Sequence, residues 1–341
     1  MILKIGIPSE DGTPIAHLSY HLYIRFIVAN DEFKFKEFNA DSKQCRRTTL
    51  APTFGSPPNK IIVLPPTEMC SNRYVYSTAE RIVGIGCVPL TGNPTEVLGI
   101  VAHPGRISCI CVSHDGKFMF SGGGSDLTSG MFAIDGTALT PSVSGNDLVP
   151  FLELLDGGNG GELHNDIIDY FYLCQLRSQG ENAMDDRDIS GMIPIEEIAA
   201  LVRAVGYYPT EEEIENFCNE IRYQNFMITG VARDTVSLNE VIKLYINHRP
   251  VNALNSSDID AAFDIIKQRI SGNSTGDIIW QDLKSLLMAE GEAIAPRELE
   301  EYLLALMGEN KLDDESSIEF NSTSFAGTVL GFEDMNSADD V

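Results

Sequence analysis

Two different hydrophobic periods divide the chain. In residues 1 to about 133, short runs of β-branched and aromatic residues alternate with turn-forming Gly, Pro, Asp and Asn. This pattern is typical of strands joined by tight turns. The predicted strands are YIRFIVA at 23–29, FKFKEF at 33–38, KIIVLP at 60–65, RIVGIGCV at 81–88, ISCICVS at 107–113 and KFMFSGG at 117–123. Regularly spaced short strands predict an antiparallel sandwich, barrel or propeller.

Beyond His164 the apolar residues recur at helical spacing. The run from Ile167 to Leu176 predicts an amphipathic helix, and a second helix is predicted from Pro194 to Val205. Thr210, with Glu213 three residues later, predicts a capping box at the start of a third helix. The predicted domains are therefore 1–133 (strands), 134–162 (a linker), 163–332 (helices) and 333–341 (a disordered tail).

The segment DRDISGMIPIEE, from Asp186 to Glu197, joins the first two predicted helices. It satisfies the twelve-residue calcium loop of an EF-hand, with Gly at position 6 and Glu at position 12. The predicted Ca²⁺ ligands are Asp186, Asp188, Ser190, the main-chain carbonyl of Met192, and Glu197. Because hard divalent cations prefer oxygen ligands, these residues form the candidate metal site. The alternative is an acidic loop that only caps the following helix.

Three further segments resemble degenerate loops of the same kind. The one between residues 221 and 235 is too long and too poor in carboxylates, so no metal is predicted there. In 271–282, Ser271 replaces the first Asp and Asp282 replaces the final Glu, which leaves the occupancy of that loop open. A fourth segment, 312–320, lacks the glycine and the final Glu, and we expect it to be structural only.

Charge narrows the possible partners. The first 150 residues carry 13 acidic and 12 basic side chains, and the remaining residues carry 37 and 12, so the second part holds nearly all of the net charge of −26. Such a field repels nucleic acids and anionic membranes but attracts cations and basic protein segments. Seven cysteines without a CxxC pair predict reduced, intracellular thiols, and no run of about 18 apolar residues predicts a membrane span.

The stretch from His103 to Phe132 resembles one blade of a WD-repeat propeller. In that family a His, a Ser, an Asp and a Trp form a structural hydrogen-bonded network. His103, Ser121 and Asp126 match it, whereas Phe132 replaces the Trp. The same three side chains could instead form a hydrolytic triad, but neither a GxSxG elbow nor an oxyanion-hole sequence accompanies them. Since 133 residues hold only two or three blades of about 40 to 45 residues, we expect either that the chain is the C-terminal piece of a longer protein or that another segment supplies the first blades.

The passage ALVRAVGYYPTEEEIENF at 200–217 resembles the calmodulin and troponin C superfamily. The expected fold class is thus multidomain: an all-β partial WD-repeat propeller followed by an all-α calmodulin-like domain of four EF-hands, mostly degenerate. That domain order resembles a family of cilia- and flagella-associated proteins. The resemblance implies a cytoskeletal protein of the axoneme, at the base of a radial spoke, partnered by proteins of the calmodulin- and spoke-associated complex and contributing to cilium and sperm motility.

Two functions follow as hypotheses. The first is a calcium-responsive scaffold, in which ion binding changes how the helical part grips a partner helix. The second is a static interaction module with no calcium sensing. An enzyme is not expected, because neither a phosphate-binding loop nor a pair of catalytic acids is recognisable.

Overall fold

The computed structural model describes most of the chain, in two compact units. The described residues are 3–5, 25–39, 43–65, 73–139, 148–180, 184, 186–224, 226–252, 255–271, 277–307, 319–328 and 330. The units are Met1–Val251 and Asn252–Val341. Among the described helices, none combines the length and the apolar character needed to cross a membrane.

The first unit begins with a four-stranded antiparallel sheet in the order β1-β2-β3-β4. Its strands are β1 (Leu3–Ile5), β2 (Arg25–Ala29), β3 (Lys34–Asn39) and β4 (Cys45–Leu50). The predicted strands at 23–29 and 33–38 are confirmed as β2 and β3, whereas β4 was not predicted. Within this order β4 is an edge strand, so one row of its backbone N–H groups has no strand partner.

A six-stranded antiparallel sheet follows, in the order β10-β9-β8-β7-β6-β5. Its strands are β5 (Pro58–Val63), β6 (Arg73–Thr78), β7 (Glu80–Cys87), β8 (Val97–Val112), β9 (Phe118–Gly123) and β10 (Ser129–Ala133), with a 3-10 turn at Pro94–Glu96 before β8. The first part of β8 pairs with β7 and the second part with β9. Gly84 lies opposite Tyr76, and a Cβ there would lie 2.5 Å from the tyrosine ring. Only glycine therefore allows these two strands to approach so closely.

The helical part of the first unit packs around its own apolar core. Its elements are α1 (Val149–Leu152), α2 (Glu162–Ser178), β11 (Met192–Pro194), a 3-10 turn (Ile195–Glu197), α3 (Ile198–Ala204), α4 (Glu211–Tyr223), α5 (Phe226–Thr229), β12 (Thr235–Ser237) and α6 (Leu238–His248). β11 and β12 pair antiparallel, and Ile193 lies opposite Val236. The predicted capping box of α4 is confirmed, because the backbone N–H of Glu213 donates to Thr210 Oγ1 over 3.2 Å.

The second unit has a separate core. It contains α7 (Ser256–Ser271), β13 (Ile278–Ile279), α8 (Trp280–Ala289), α9 (Pro296–Met307), β14 (Glu319–Phe320) and α10 (Ser322–Thr328). β13 and β14 pair antiparallel, and Trp280 packs against Phe320 with ring centroids 5.9 Å apart. Part of the predicted loop 271–282, most of the segment 312–320 and the predicted tail lie outside the described residues.

Side chains of α4 and α6 complete the unpaired edge of β4. The backbone N–H of Thr48 donates to Glu220 Oε2 over 3.1 Å, and that of Leu50 donates to Asn247 Oδ1 over 3.0 Å. From the neighbouring strand, the buried side-chain amino group of Lys34 donates to the carbonyls of Asn247 and Arg249 at the end of α6, over 2.7 and 2.6 Å. Sheet and helices are thus joined through polar groups that would be unsatisfied if they were separated.

The predicted fold class, an all-β domain followed by an all-α domain, was wrong. Instead of an all-β part followed by an all-α part, the first unit is mixed, since the sheet and helices α4 and α6 share buried hydrogen bonds. The described residues establish neither a WD-repeat propeller nor EF-hands. Short two-stranded sheets also lie within both helical regions.

Candidate metal centre

The candidate loop connects α2 to β11. Its turn depends on Gly191, whose φ of +69° lies in the left-handed region that glycine adopts at little cost. The chain then enters β11, whose central residue, Ile193, is fully buried. The backbone pairing of β11 with β12 fixes this end of the loop to the core.

Gln175 on α2 forms hydrogen bonds to two of the predicted ligand oxygens. This side chain is 3% exposed, and its amide Nε2 donates to Ser190 Oγ over 2.9 Å and to the carbonyl oxygen of Met192 over 3.0 Å. Both oxygens therefore point toward α2, and Ser190 itself is exposed. An N–H donor satisfies them in the described conformation.

Two further contacts hold the loop against α2. Gln179 Nε2 donates to the carbonyl oxygen of Asp188 over 2.7 Å, and the Asp188 backbone N–H donates back to Gln179 Oε1 over 3.0 Å. Arg187 Nη1 donates to the carbonyl of Leu176 over 2.9 Å. These bonds use main-chain groups that are not predicted ligands, so the loop is tied to α2 at several independent points.

The predicted carboxylate ligands are more dispersed. Asp186 and Asp188 are exposed. Glu197 is half-buried beside Cys174 on α2, and burial together with this carboxylate raises the pKa of the Cys174 thiol to about 11. In the part of the chain that the structure describes, no three His, Cys, Asp or Glu side chains lie close enough together to hold a metal ion.

The donor set nevertheless suits a hard cation. It comprises three carboxylates, a hydroxyl and a main-chain carbonyl on one short loop, all of them oxygen ligands. Because both the Ser190 and the Met192 oxygens accept from the Gln175 amide, a cation can take them only if that amide withdraws. Sequence reasoning missed Gln175, Gln179 and Cys174; the signal available was a pair of glutamines four residues apart, which share one face of a helix.

Glu240, at the start of α6 just after the degenerate segment between residues 221 and 235, forms an ion pair. Arg233 forms a bidentate ion pair with it, at 2.6 Å from Nη1 to Oε1 and 2.9 Å from Nη2 to Oε2. A guanidinium held in this geometry neutralises the carboxylate. That the segment between residues 221 and 235 takes no metal stays a prediction.

The hydrogen bonds expected among His103, Ser121 and Asp126 are present at strands β8 and β9. His103 Nδ1 lies 2.9 Å from Asp126 Oδ2, and His103 Nε2 lies 2.7 Å from Ser121 Oγ. Hydrogen bonds from Thr128 and His103 lower the pKa of Asp126 to about 2. Ser121 is only 3% exposed, so a substrate could not reach its hydroxyl. The geometry therefore favours the structural network over the hydrolytic triad.

Similarity to known proteins extends over both parts of the chain. Residues 162–330 match the family model of the CFAP251 C-terminal domain. A protein named cilia- and flagella-associated protein 251 from Tetrahymena thermophila is 34% identical over 98% of this chain and 37% of its own length. Proteins of the same name from Pongo abelii and Mus musculus are each 36% identical, over 89% and 83% of this chain. The chain spans between 22% and 37% of these three relatives.

Among solved structures, the myosin II regulatory domain of Physarum polycephalum is similar to half of the chain. The similarity covers 50% of this chain and 96% of that one, with a TM-score of 0.32 and 18% identity.

Proposed function

Since this chain belongs, through residues 162–330, to the family of the CFAP251 C-terminal domain, we propose that it is a structural, non-enzymatic component of cilia and flagella. The observation that carries this proposal is the 34% identity that extends over 98% of the chain. Both the sheets and the helices are included in that similarity, so the proposal concerns the whole chain.

The finer proposal is a scaffold subunit at the base of the radial spoke. Its partners would be axonemal proteins of the calmodulin- and spoke-associated complex, and its role would be to support motility of cilia and sperm flagella. The names of the relatives, cilia- and flagella-associated protein 251, support a place in the axoneme. The junction between β4 and helices α4 and α6 also suits a scaffold, because buried hydrogen bonds keep the sheet and helices in one relative position.

Location can be tested in a ciliated cell. The chain fused to a fluorescent protein is expected in the cilium and should remain on the axoneme after detergent removes the membrane. The fluorescent protein alone is the control, and it should wash out. A fusion that stays in the cell body, or that detergent releases completely, would contradict a scaffold role in the axoneme.

We further propose that the loop from Asp186 to Glu197 binds Ca²⁺. A bound calcium ion would supply a positive charge that oxygen ligands can surround. Asp186, Asp188 and Glu197 would provide carboxylates, while Ser190 and Met192 would provide the two oxygens that Gln175 now holds. When Gln175 releases them, α2 loses two of its hydrogen bonds to the loop, which is how a cation could alter the position of this helix.

Calcium titration of the full chain tests the site, with Glu197→Gln as the variant. Glu196→Gln is the matched control, because Glu196 is the exposed neighbour and lies 3.8 Å from Arg222 instead of facing Cys174. Calorimetry should show binding to the wild type and to the control, and a loss of at least about tenfold in affinity for Glu197→Gln. No binding to the wild type at millimolar Ca²⁺ would refute the site and favour the static interaction module.

A further inference from the structure

Helix α2 has a second apolar face, opposite the one that it buries. Ile167, Phe171 and Cys174 point into the core of the first unit. On the other side, Tyr172, Leu173 and Leu176 are 44%, 47% and 38% exposed. Residues three and four apart lie next to each other on a helix, so these three side chains form a continuous stripe.

Acidic side chains extend this stripe toward the start of the helix. Asp166, Asp169, Leu173 and Leu176 follow one another at spacings of three and four residues, so they share one face. Both aspartates are exposed, and neither forms an ion pair with another described residue. From Asp166 to Leu176 the face is about 15 Å long, at about 1.5 Å per residue.

We propose that this α2 face, formed by Asp166, Asp169, Tyr172, Leu173 and Leu176, docks a basic amphipathic helix of a partner protein. Apolar side chains of that helix would cover the stripe, and its Lys or Arg residues would lie against the two aspartates. Charge complementarity selects this occupant, because helix α2 carries three acidic side chains, Glu162, Asp166 and Asp169, and one basic side chain, Arg177. An acidic partner, or a second copy of this chain, would meet like charge at the same place.

The α2 face also adjoins the candidate calcium loop. Arg187 in the loop donates to the carbonyl of Leu176, and Gln175, the neighbour of Leu176, donates to Ser190 and Met192. Calcium binding in the loop would therefore change the position of the α2 face and the affinity for the partner helix, and this coupling rests on the proposed function. The docking itself does not, since the stripe is exposed in the described conformation.

A designed peptide of 14 residues serves as the probe, with Leu at positions i, i+3, i+4 and i+7 and Lys elsewhere. Fluorescence anisotropy of the labelled peptide should show binding to the full chain. A scrambled peptide of the same composition should bind the wild-type chain at least about tenfold more weakly. The original peptide should bind the Leu173→Ser/Leu176→Ser variant of the chain at least about tenfold more weakly than the wild type. The matched control is Ile265→Ser, which removes a 66% exposed apolar side chain from helix α7 and should change nothing.

A second variant keeps the test independent of folding defects. Asp166→Asn/Asp169→Asn retains the apolar stripe and should weaken binding chiefly at low salt. Circular dichroism of each variant checks that its helices are intact. Equal binding of the scrambled peptide, or no effect of Leu173→Ser/Leu176→Ser, would overturn the proposal. A wild-type dimer that this double variant converts to a monomer, seen by light scattering, would overturn it in favour of self-association.

The titration is run both in calcium and in chelator. Binding that disappears with Leu173→Ser/Leu176→Ser in both conditions supports docking, whether or not calcium changes the affinity. Equal affinity in the two conditions would refute the calcium coupling and leave docking supported. Absence of peptide binding in both conditions would refute docking, while calorimetry still decides whether the loop binds calcium.

Discussion

Replacing Gln175 by Ala should tighten calcium binding, because this side chain competes for the ligand oxygens. In the described conformation its amide donates to Ser190 Oγ over 2.9 Å and to the Met192 carbonyl over 3.0 Å. A cation that takes both oxygens must break both hydrogen bonds. The alanine variant has no such bonds to lose.

The magnitude follows from the number of hydrogen bonds. Each intramolecular hydrogen bond contributes about 1 kcal/mol net, so the two together oppose ion binding by about 2 kcal/mol. That free energy corresponds to a dissociation constant about 30-fold lower for Gln175→Ala than for the wild type. The calcium-free variant should also be less stable by at least about 2 kcal/mol, because it loses the same bonds and some buried side-chain volume.

Two measurements on the full chain decide the matter. Calorimetric titration with Ca²⁺ gives the affinity, and urea unfolding in chelator gives the free energy of unfolding. Gln179→Ala is the matched control: it also removes hydrogen bonds to the loop, but those bonds join main-chain groups of Asp188 that are not predicted ligands. It should lower stability without tightening binding. An unchanged or weaker affinity for Gln175→Ala, or equal tightening by Gln179→Ala, would refute the reasoning.

Two further predictions concern the junction between the sheet and the helices. Burial and the neighbouring Arg249 lower the pKa of Lys34 to about 7, with Glu32, Glu213 and Lys36 as the other charged neighbours. Between pH 7 and pH 9 the unfolded chain keeps a proton on this lysine that the folded chain loses, so the folded state becomes more stable as the pH rises. Urea unfolding should show that the free energy of unfolding increases over this range by about 2 kcal/mol more in the wild type than in Lys34→Met. Parallel plots of the free energy of unfolding against pH for the two proteins would contradict this. Gly92→Ala should lower the free energy of unfolding by about 2 to 4 kcal/mol, because φ at Gly92 is +77° and the new Cβ would lie 1.9 Å from Asn247 Oδ1. Gly55→Ala is the control, because Gly55 has a φ of +80° and no atom lies within 4 Å of the new Cβ. Thermal unfolding should show that this variant loses only about 1 kcal/mol of its free energy of unfolding. Equal losses in the two variants would mean that the Asn247 contact is unimportant.

Local features of this protein were determined by the sequence itself. The capping box of Thr210 and Glu213 joins residues three positions apart, so it can be recognised from neighbouring residues alone. Alternating β-branched and aromatic residues likewise predicted β3 and β7, and the dense spacing of oxygen-bearing side chains singled out the loop from Asp186 to Glu197. Each of these signals depends on side chains that are neighbours along the chain.

Only the tertiary structure decided how the parts combine. β4, with the sequence CRRTTL, lacks a clear apolar alternation, and it was missed because its stability comes from β3 and from helices far along the chain. Its bonds to Glu220 and Asn247 span 172 and 197 residues, and these made the first unit mixed where a separate all-β domain was expected. The hydrogen bonds from Gln175 to Ser190 and Met192 also depend on tertiary structure, since a buried amide donates to those oxygens that packing brings within reach.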